Sequence, residues 1–368
     1  MKASVLKRVQ KLVRKEIQAL KSYHVPDSKG MIKLDAMENP FQWPGDLGNK
    51  WTEALAGVSV NRYPDPHAAE LTAKIRAFMS VPEEFDIMLG NGSDELIQTI
   101  ALALAGEGRS IMAPEPGFVM YSMIATFCGM DYVGLPLGNN FELDTAAFKE
   151  AMEQHEPAVV FLAQPNNPTG NLFGEEKVRR IIEGCPGLVV LDEAYLPFSD
   201  SNLMPLLQDY DNVVIMRTFS KMGLAGLRLG VLVGRHEWLV EFDKLRLPYN
   251  INVLTQESAK FALDNVDVLN KQTALLRASR SELYTALGKI PFVHPYQSEA
   301  NFILVRLDRA PARTVFAQLK EKGILIKCLD GAHPLLANCL RITVGTAQEN
   351  AAFLSAFETI LKSHHSSE

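Results

Sequence analysis

Residues 217–230 combine side chains that could hold a phosphorylated aldehyde. The segment reads RTFSKMGLAGLRLG and follows an apolar run that ends at Met216. The amine of Lys221 can bind an aldehyde covalently, while nearby hydroxyls and the guanidinium of Arg228 can bind a phosphate. A lysine at the end of a strand is usually just solvated, so Lys221 alone does not indicate a ligand site. The combination of both chemistries in one segment predicts pyridoxal phosphate as the ligand.

A second anion site is predicted in residues 90–95, GNGSDE, which form a glycine-containing turn before a helix. The free backbone amides and the dipole of a helix N-terminus attract a phosphate. The alternative is that Ser93 or Asp94 simply caps the helix and binds no ligand.

Two more polar segments directly follow apolar runs. Residues 164–170, QPNNPTG, form a rigid turn that is either a plain loop or a device to fix an amide against a ligand. Asp192 ends the next run, where a buried carboxylate is costly unless it is paired. It could bind a protonated heterocyclic nitrogen or cap the next helix, and Tyr195 could share that ligand or fill space. Ligands of open α/β sheets bind beyond the carboxyl ends of strands, so the order of these segments predicts one site.

Short apolar runs alternate with helical patterns over the first 250 residues or so. Strands that are apolar on both faces and alternate with helices indicate an α/β domain with a mainly parallel sheet. After about Leu254 a long helical segment, 255–287, leads into strands mixed with helices, which predicts a smaller α+β domain. We expect an N-terminal arm (1–35), a large ligand-binding domain (36–258) and a small C-terminal domain (259–368). The apolar runs of the large domain are 110–112, 131–135, 158–163, 188–191, 213–216 and 230–233.

Composition favours an enzyme of the cytoplasm. The 368 residues carry a net charge of −6, which argues against a nucleic-acid or anionic-membrane partner. The four cysteines show neither CxxC pairing nor the spacing of zinc ligands. The amphipathic N-terminus lacks the continuous apolar core of a signal peptide, and no run reaches the ~20 apolar residues of a membrane helix.

The sequence resembles the fold-type I pyridoxal-phosphate-dependent aminotransferases over most of its length. Within that superfamily it looks most like the histidinol-phosphate aminotransferase family. The resemblance is carried by MENP (37–40), RYPD (62–65), GNGSDE (90–95), NNPTG (166–170), DEAY (192–195), TFSK (218–221) and LRITVGT (340–346).

The resemblance implies a role for each matching position around the cofactor. Lys221 would form the internal aldimine and then act as general acid and base, and Asp192 would pair with the pyridine nitrogen. Phe118 would stack on the ring, although it could equally be an ordinary core aromatic. The remaining cofactor-binding residues are Asn167 and Tyr195 at the 3′-oxygen, and Gly92, Ser93, Asp94, Thr218, Ser220 and Arg228 on the phosphate side.

Tyr63 would reach the phosphate from a second subunit, which implies a homodimer. Its alternative role is local packing against prolines. The substrate would be bound by Arg341, which resembles the arginine that holds the α-carboxylate of glutamate and 2-oxoglutarate, together with Tyr23, Asn39 and Lys327. The family commonly has an arginine at position 327, and a lysine keeps the charge but not the planar fork. Lys327 could also be a solvated lysine.

The implied reaction is ping-pong transamination between histidinol phosphate and 2-oxoglutarate, giving imidazole acetol phosphate and glutamate. Two alternatives share the framework: a lyase similar to threonine-phosphate decarboxylase, and an aromatic amino-acid transaminase. A third, a non-catalytic regulator that binds the cofactor, would need a DNA-binding extension that the sequence does not show.

Overall fold

The fold consists of helices packed around a seven-stranded sheet and a four-stranded sheet. A computed structural model describes residues 2–22 and 25–365. The strands are β1 (Ile32–Lys33), β2 (Asp86–Asn91), β3 (Ser110–Glu115), β4 (Asp131–Pro136), β5 (Val159–Ala163), β6 (Leu188–Asp192), β7 (Val213–Thr218), β8 (Leu229–Gly234), β9 (Val293–Pro295), β10 (Phe302–Leu307), β11 (Ile324–Leu325), β12 (Lys327–Cys328) and β13 (Cys339–Thr343).

The helices surround both sheets. They are α1 (Lys2–Leu12), α2 (Lys15–Ala19), α3 (Leu47–Ala56), α4 (Ala69–Met79), α5 (Ser93–Leu104), α6 (Met120–Cys128), α7 (Thr145–His155), α8 (Glu175–Gly184), α9 (Leu206–Asp209), α10 (His236–Asp243), α11 (Val253–Asp264), α12 (Val266–Leu287), α13 (Ala312–Glu321) and α14 (Ala347–His365). Among the described residues, none of these helices is long and apolar enough to span a membrane.

The large sheet is mainly parallel, which confirms the predicted α/β class. Its strand order is β2-β8-β7-β6-β5-β3-β4. The neighbours from β7 to β4 run parallel, and β8 alone is antiparallel to both of its neighbours. All residues of β5 are buried, and they alternate between two apolar clusters. Val160 and Leu162 belong to one cluster, and Val159 and Phe161 belong to the other, as expected for a strand covered on both faces.

The small sheet lies in the C-terminal part and is antiparallel, with the order β12-β13-β10-β9. Residues 32–33 pair in parallel with residues 324–325, so the chain just after the N-terminal helices joins the C-terminal part. The predicted single helix over 255–287 is two helices that are separated at Asn265. The division into an arm, a large domain and a small domain with the bounds given above stays a prediction.

The topology brings the predicted segments to one edge of the large sheet. Strands β2, β5, β6 and β7 run in the same direction and end at Asn91, Ala163, Asp192 and Thr218. The turns that follow these strands therefore meet at their carboxyl ends. The antiparallel β8 begins at that edge, directly after Arg228.

Candidate active site

A cavity, called the inner cavity below, lies at the carboxyl ends of these strands. It collects ten of the side chains that the sequence predicts for the cofactor. Its lining residues are Met37, Ser93, Asp94, Phe118, Ala163, Asn167, Asp192, Ala194, Tyr195, Thr218, Ser220, Lys221 and Arg228.

Lys221 lies in a short 3-10 turn, Ser220–Met222, directly after β7. Its Nζ lies 3.5 Å from the carbonyl oxygen of Ala36 and 5.6 Å from the centre of the Tyr195 ring. Burial and the positive charge of Arg341 lower the pKa of Lys221 to about 8. About one amine in ten is then neutral at pH 7, so the nucleophilic form is far more abundant than in a solvated lysine.

Asp192 is buried at the end of β6 and accepts two hydrogen bonds. The hydroxyl of Tyr121 donates to Oδ2 at 2.7 Å, and the backbone N–H of Ala194 donates to Oδ1 at 3.0 Å. Burial raises the pKa of Asp192 to about 6, although both hydrogen bonds oppose that rise. A cationic N–H facing this carboxylate would offset the cost of burying its charge.

The phosphate side of the inner cavity is formed by the turn before α5 and the end of β7. Gly92 has a φ of +85°, and a Cβ at this position would lie 2.5 Å from Nη2 of Arg228. The absence of a side chain therefore lets the guanidinium lie against this turn, where it also pairs with Asp94 at 3.2 Å. The hydroxyls of Thr218 and Ser220 lie 3.0 Å apart. Thr218, Ser220 and Arg228 all line the inner cavity, where their donors are available to an anion.

A chain of hydrogen bonds crosses from the small sheet into the inner cavity. Arg341 donates from Nη1 to Oδ1 of Asn167 at 2.6 Å, and Nδ2 of Asn167 donates to the hydroxyl of Tyr195 at 3.1 Å. Arg341 also donates from Nη2 to the carbonyl of Asp35 at 3.0 Å, and its side chain is buried. The guanidinium is thus fixed in orientation beside the inner cavity.

A second cavity, called the outer cavity, shares Met37, Phe118 and Asn167 with the inner one. Lys327 lies on β12 directly opposite Arg341 on β13, so both cations reach this cavity from neighbouring strands. The other residues that line the outer cavity are Glu115, Pro116, Gly117, Val119, Ser122, Tyr132, Pro168, Leu329, Ala332, His333 and Leu336.

Some predicted residues lie elsewhere. The side chain of Tyr63 is 80% exposed and stacks on Tyr249, with ring centres 4.4 Å apart, so it reaches neither cavity of its own chain. Asn39 lies in neither cavity and donates instead to the carbonyl of Met222 and to Gln272. Tyr23 lies outside the described residues. The substrate roles of Asn39 and Tyr23 stay predictions.

Several polar residues in or beside the two cavities were not predicted from the sequence. Tyr121, the hydroxyl partner of Asp192, stacks on Phe161 and packs edge-on against Phe118. Its position three residues after Phe118 on a helical pattern was a usable signal, because such neighbours share a face. Glu115 and His333 come from strands and loops far apart in sequence, and no local pattern connects them.

The chain matches the model of the aminotransferase class I and II family over residues 29–357, and it belongs to that family. Its relative from Nitrosococcus oceani, named histidinol-phosphate aminotransferase 2, is 52% identical over 351 residues, which cover 95% of this chain and 98% of the relative.

Solved structures extend the comparison to the fold. The histidinol-phosphate aminotransferase of Sinorhizobium meliloti in complex with pyridoxal-5′-phosphate has a TM-score of 0.86 at 24% identity and covers 96% of this chain and 98% of its own. The L-threonine-O-3-phosphate decarboxylase of Porphyromonas gingivalis has a TM-score of 0.75 at 24% identity and covers 90% and 99%. At these identities the two structures show the fold alone.

The cofactor of this enzyme is pyridoxal phosphate, and the inner cavity fits it. The cavity offers a lysine of lowered pKa for the aldehyde and a buried carboxylate for the ring nitrogen. Hydroxyls and a guanidinium are available for the phosphate. The guanidinium of Arg228 lies in the space that a Cβ on Gly92 would fill, so a larger residue at position 92 would displace this phosphate donor.

Proposed function

We propose that the chain interconverts L-histidinol phosphate and 2-oxoglutarate with imidazole acetol phosphate and L-glutamate. The observation that carries the proposal is the pair of cations, Lys327 and Arg341, that lines the outer cavity next to Lys221. Both amino substrates carry an anion close to the reacting amine, a phosphate in one and an α-carboxylate in the other. The name of the Nitrosococcus oceani relative supports the same substrate.

Pyridoxal phosphate, when bound, withdraws electrons from the substrate carbon and carries the amino group between the two half-reactions. Lys221 would hold the aldehyde of the cofactor, and its free amine would take up and return the substrate proton. Its pKa of about 8 suits both tasks, because the amine can lose and regain a proton near neutral pH. The charges of Arg341 and Arg228 contribute to that pKa, so substrate and phosphate sites also tune the base.

Asp192 would keep a proton on the ring nitrogen of the cofactor, because it offers that nitrogen a buried carboxylate. Tyr121 and the amide of Ala194 fix the orientation of that carboxylate, and they leave its remaining lone pairs for the ring. Asn167 and Tyr195 would hold the 3′-oxygen of the cofactor, and Asn167 bonds both to Tyr195 and to Arg341. A substrate anion bound at Arg341 would therefore be linked to the cofactor ring through the hydrogen bonds of Asn167.

Arg341 binds the α-carboxylate of glutamate, and Lys327 adds a second positive charge for the phosphate of histidinol phosphate. The guanidinium of Arg341 is planar and fixed by Asn167 and Asp35, which suits a bidentate carboxylate contact. Lys327 supplies a point charge that can follow anions of different size.

The enzyme is proposed to be a homodimer in which Tyr63 completes the phosphate site of the partner. The exposed, stacked position of Tyr63 supports this role, because a large aromatic pair exposed at the surface favours an interface. Leu6 and Leu12 of α1 are exposed too. Sedimentation equilibrium should give twice the monomer mass; a monomer with full activity would refute the dimer. The predicted location in the cytoplasm stays a prediction.

A half-reaction tests the substrate directly. The holoenzyme is mixed with L-histidinol phosphate and no keto acid, and the absorbance of the lysine-bound cofactor is followed. We expect stoichiometric conversion of the cofactor to its amine form, and L-glutamate alone should give the same final spectrum.

The competing lyase reaction is measured in the same samples. If L-threonine phosphate releases CO₂ while histidinol phosphate leaves the spectrum unchanged, the transaminase proposal is wrong. If aromatic amino acids convert the cofactor at least as fast as histidinol phosphate, the enzyme is an aromatic transaminase instead.

A further inference from the structure

We infer that Glu115 and Tyr132 form a subsite in the outer cavity for the imidazole ring of the amino substrate. Glu115 would accept the ring N–H and so act as a residue that determines specificity. The inference rests on the proposed function, and it concerns only the part of the substrate that histidinol phosphate and glutamate do not share.

The position of the Glu115 carboxylate depends on a glycine in the neighbouring strand. Glu115 ends β3, and Gly134 lies in the edge strand β4 beside it. A Cβ on Gly134 would lie 2.3 Å from the carboxylate carbon of Glu115 and 2.5 Å and 2.8 Å from its oxygens. The carboxylate therefore lies in the space that a side chain would occupy on β4, and any other residue there would displace it.

Tyr132 lies two residues before Gly134 and so on the same face of β4. Burial and the adjacent Glu115 carboxylate, with which the phenol is hydrogen-bonded, raise the pKa of Tyr132. The phenol hence stays protonated at neutral pH and is available as a donor to the Glu115 carboxylate. A carboxylate has about four acceptor positions, so Glu115 keeps capacity for an N–H from a ligand.

The outer cavity combines charges of opposite sign from two parts of the fold. Lys327 and Arg341 reach it from the small sheet, and Glu115 reaches it from the large sheet. A ligand that is complementary to the two cations and to the Glu115 carboxylate must carry an anion and a separate N–H donor. Histidinol phosphate has both groups, whereas glutamate has a second carboxylate that Glu115 repels. The subsite consequently favours histidinol phosphate over glutamate.

Ping-pong kinetics allow the two substrates to be tested separately in Glu115→Gln. The substitution keeps the shape but removes the charge, and charge-assisted hydrogen bonds are about twice as strong as neutral ones. We expect kcat/KM of the histidinol phosphate half-reaction to fall about tenfold, mostly through KM. The glutamate half-reaction should be unchanged or faster.

Tyr132→Phe is the second variant, and a smaller loss, confined to histidinol phosphate, is expected. If Glu115→Gln does not fold, the Tyr132→Phe variant tests the imidazole subsite in its place. Glu150→Gln, on the exposed face of α7, is the matched control and should leave both half-reactions as they are.

An equilibrium measurement accompanies the kinetics. Imidazole acetol phosphate binds the pyridoxal form without turnover, because that form lacks the amine to be transferred. Its dissociation constant should rise about tenfold in Glu115→Gln, while that of 2-oxoglutarate should not rise.

Three outcomes overturn the inference. Equal losses with both substrates would show that Glu115 only supports the fold. Wild-type rates and affinities in Glu115→Gln would show that the ring binds elsewhere. If the wild-type enzyme neither binds nor converts histidinol phosphate but does convert glutamate, the proposed function itself fails, and this result is distinct from the other two.

Discussion

Replacement of Asp192 by asparagine should stabilise the folded apoenzyme while weakening its affinity for pyridoxal phosphate. Asp192 is only 4% exposed, and burial raises its pKa to about 6. Without the cofactor, the folded chain at neutral pH must keep this carboxylate ionised in an apolar place. Asparagine carries no charge, and the hydroxyl of Tyr121, which now donates to Asp192, could accept a bond from the amide instead.

The magnitude follows from the pKa. The pKa of the Asp192 carboxyl rises from 3.8 to about 6 on folding. Each tenfold change in proton affinity corresponds to about 1.4 kcal/mol, so the ionised carboxylate costs the apoenzyme about 3 kcal/mol. Because the folded pKa is the higher one, the folded state binds more protons between about pH 4 and pH 6, and its stability falls as the pH rises through that window. The asparagine variant has no carboxyl at this position and so does not lose stability as the pH rises through that window.

Urea unfolding of the apoenzyme at pH 5 and pH 7.5 measures the effect. The free energy of unfolding of Asp192→Asn should exceed that of the wild type by up to about 3 kcal/mol at pH 7.5 and by clearly less at pH 5. Asp211→Asn, a change of an exposed residue just before β7, is the control and should show no difference. Cofactor affinity should fall at least about tenfold, since hydrogen bonds to charged groups contribute about 1.5–3 kcal/mol.

Two results would refute this reasoning. A variant that is less stable than the wild type at pH 7.5 would mean that the ionised carboxylate stabilises the empty site. A stability difference that is the same at both pH values would mean that it does not come from the ionisation of Asp192.

Three further predictions concern the cofactor and substrate sites. The rate of covalent cofactor incorporation into the apoenzyme should rise with pH around a midpoint of about 8, because only the neutral amine of Lys221 attacks the aldehyde; a midpoint above 10 in a stopped-flow pH series would contradict the lowered pKa. Gly92→Ala should weaken cofactor binding by about tenfold or more in absorbance titrations, because the new Cβ would lie 2.5 Å from Arg228 and the φ is +85°. The control is Gly48→Ala, where a Cβ would meet nothing within 4 Å, and equal effects would refute the argument. Arg341→Lys should raise the KM for glutamate about tenfold or more while the cofactor spectrum persists, because the bidentate fork is lost; an unchanged KM would place the α-carboxylate elsewhere.

The large sheet was predictable because its strands are buried on both faces. Continuous apolar runs such as those of β5 and β6 are visible in the sequence, and polar residues at their carboxyl ends mark the ligand site. Strand β2 was not predicted, since its apolar core is only residues 87–89 and glycine follows. The break at Asn265 was missed for a similar reason. The apolar pattern continues through it, and the side chain of Asn265 bonds back to the carbonyl of Phe261.

The site contacts that could not be predicted are those between segments far apart in the sequence. The sequence indicated Lys221 and Asp192, because each follows its own strand. It did not indicate that Tyr121 donates to Asp192 or that Glu115 reaches the cavity of Lys327, because these pairs form only when separate elements pack together. The sequence also did not indicate that Asn39 donates to the carbonyl of Met222 and to Gln272, and its substrate role stays a prediction.

The most direct test of the central claim is to locate the cofactor on the chain. The holoenzyme is reduced with borohydride, digested and mapped by mass spectrometry. We expect a single pyridoxyl group, on Lys221, and none after Lys221→Ala or after prior conversion with L-histidinol phosphate. A label on another lysine, such as Lys327, or a label that survives in Lys221→Ala would contradict it.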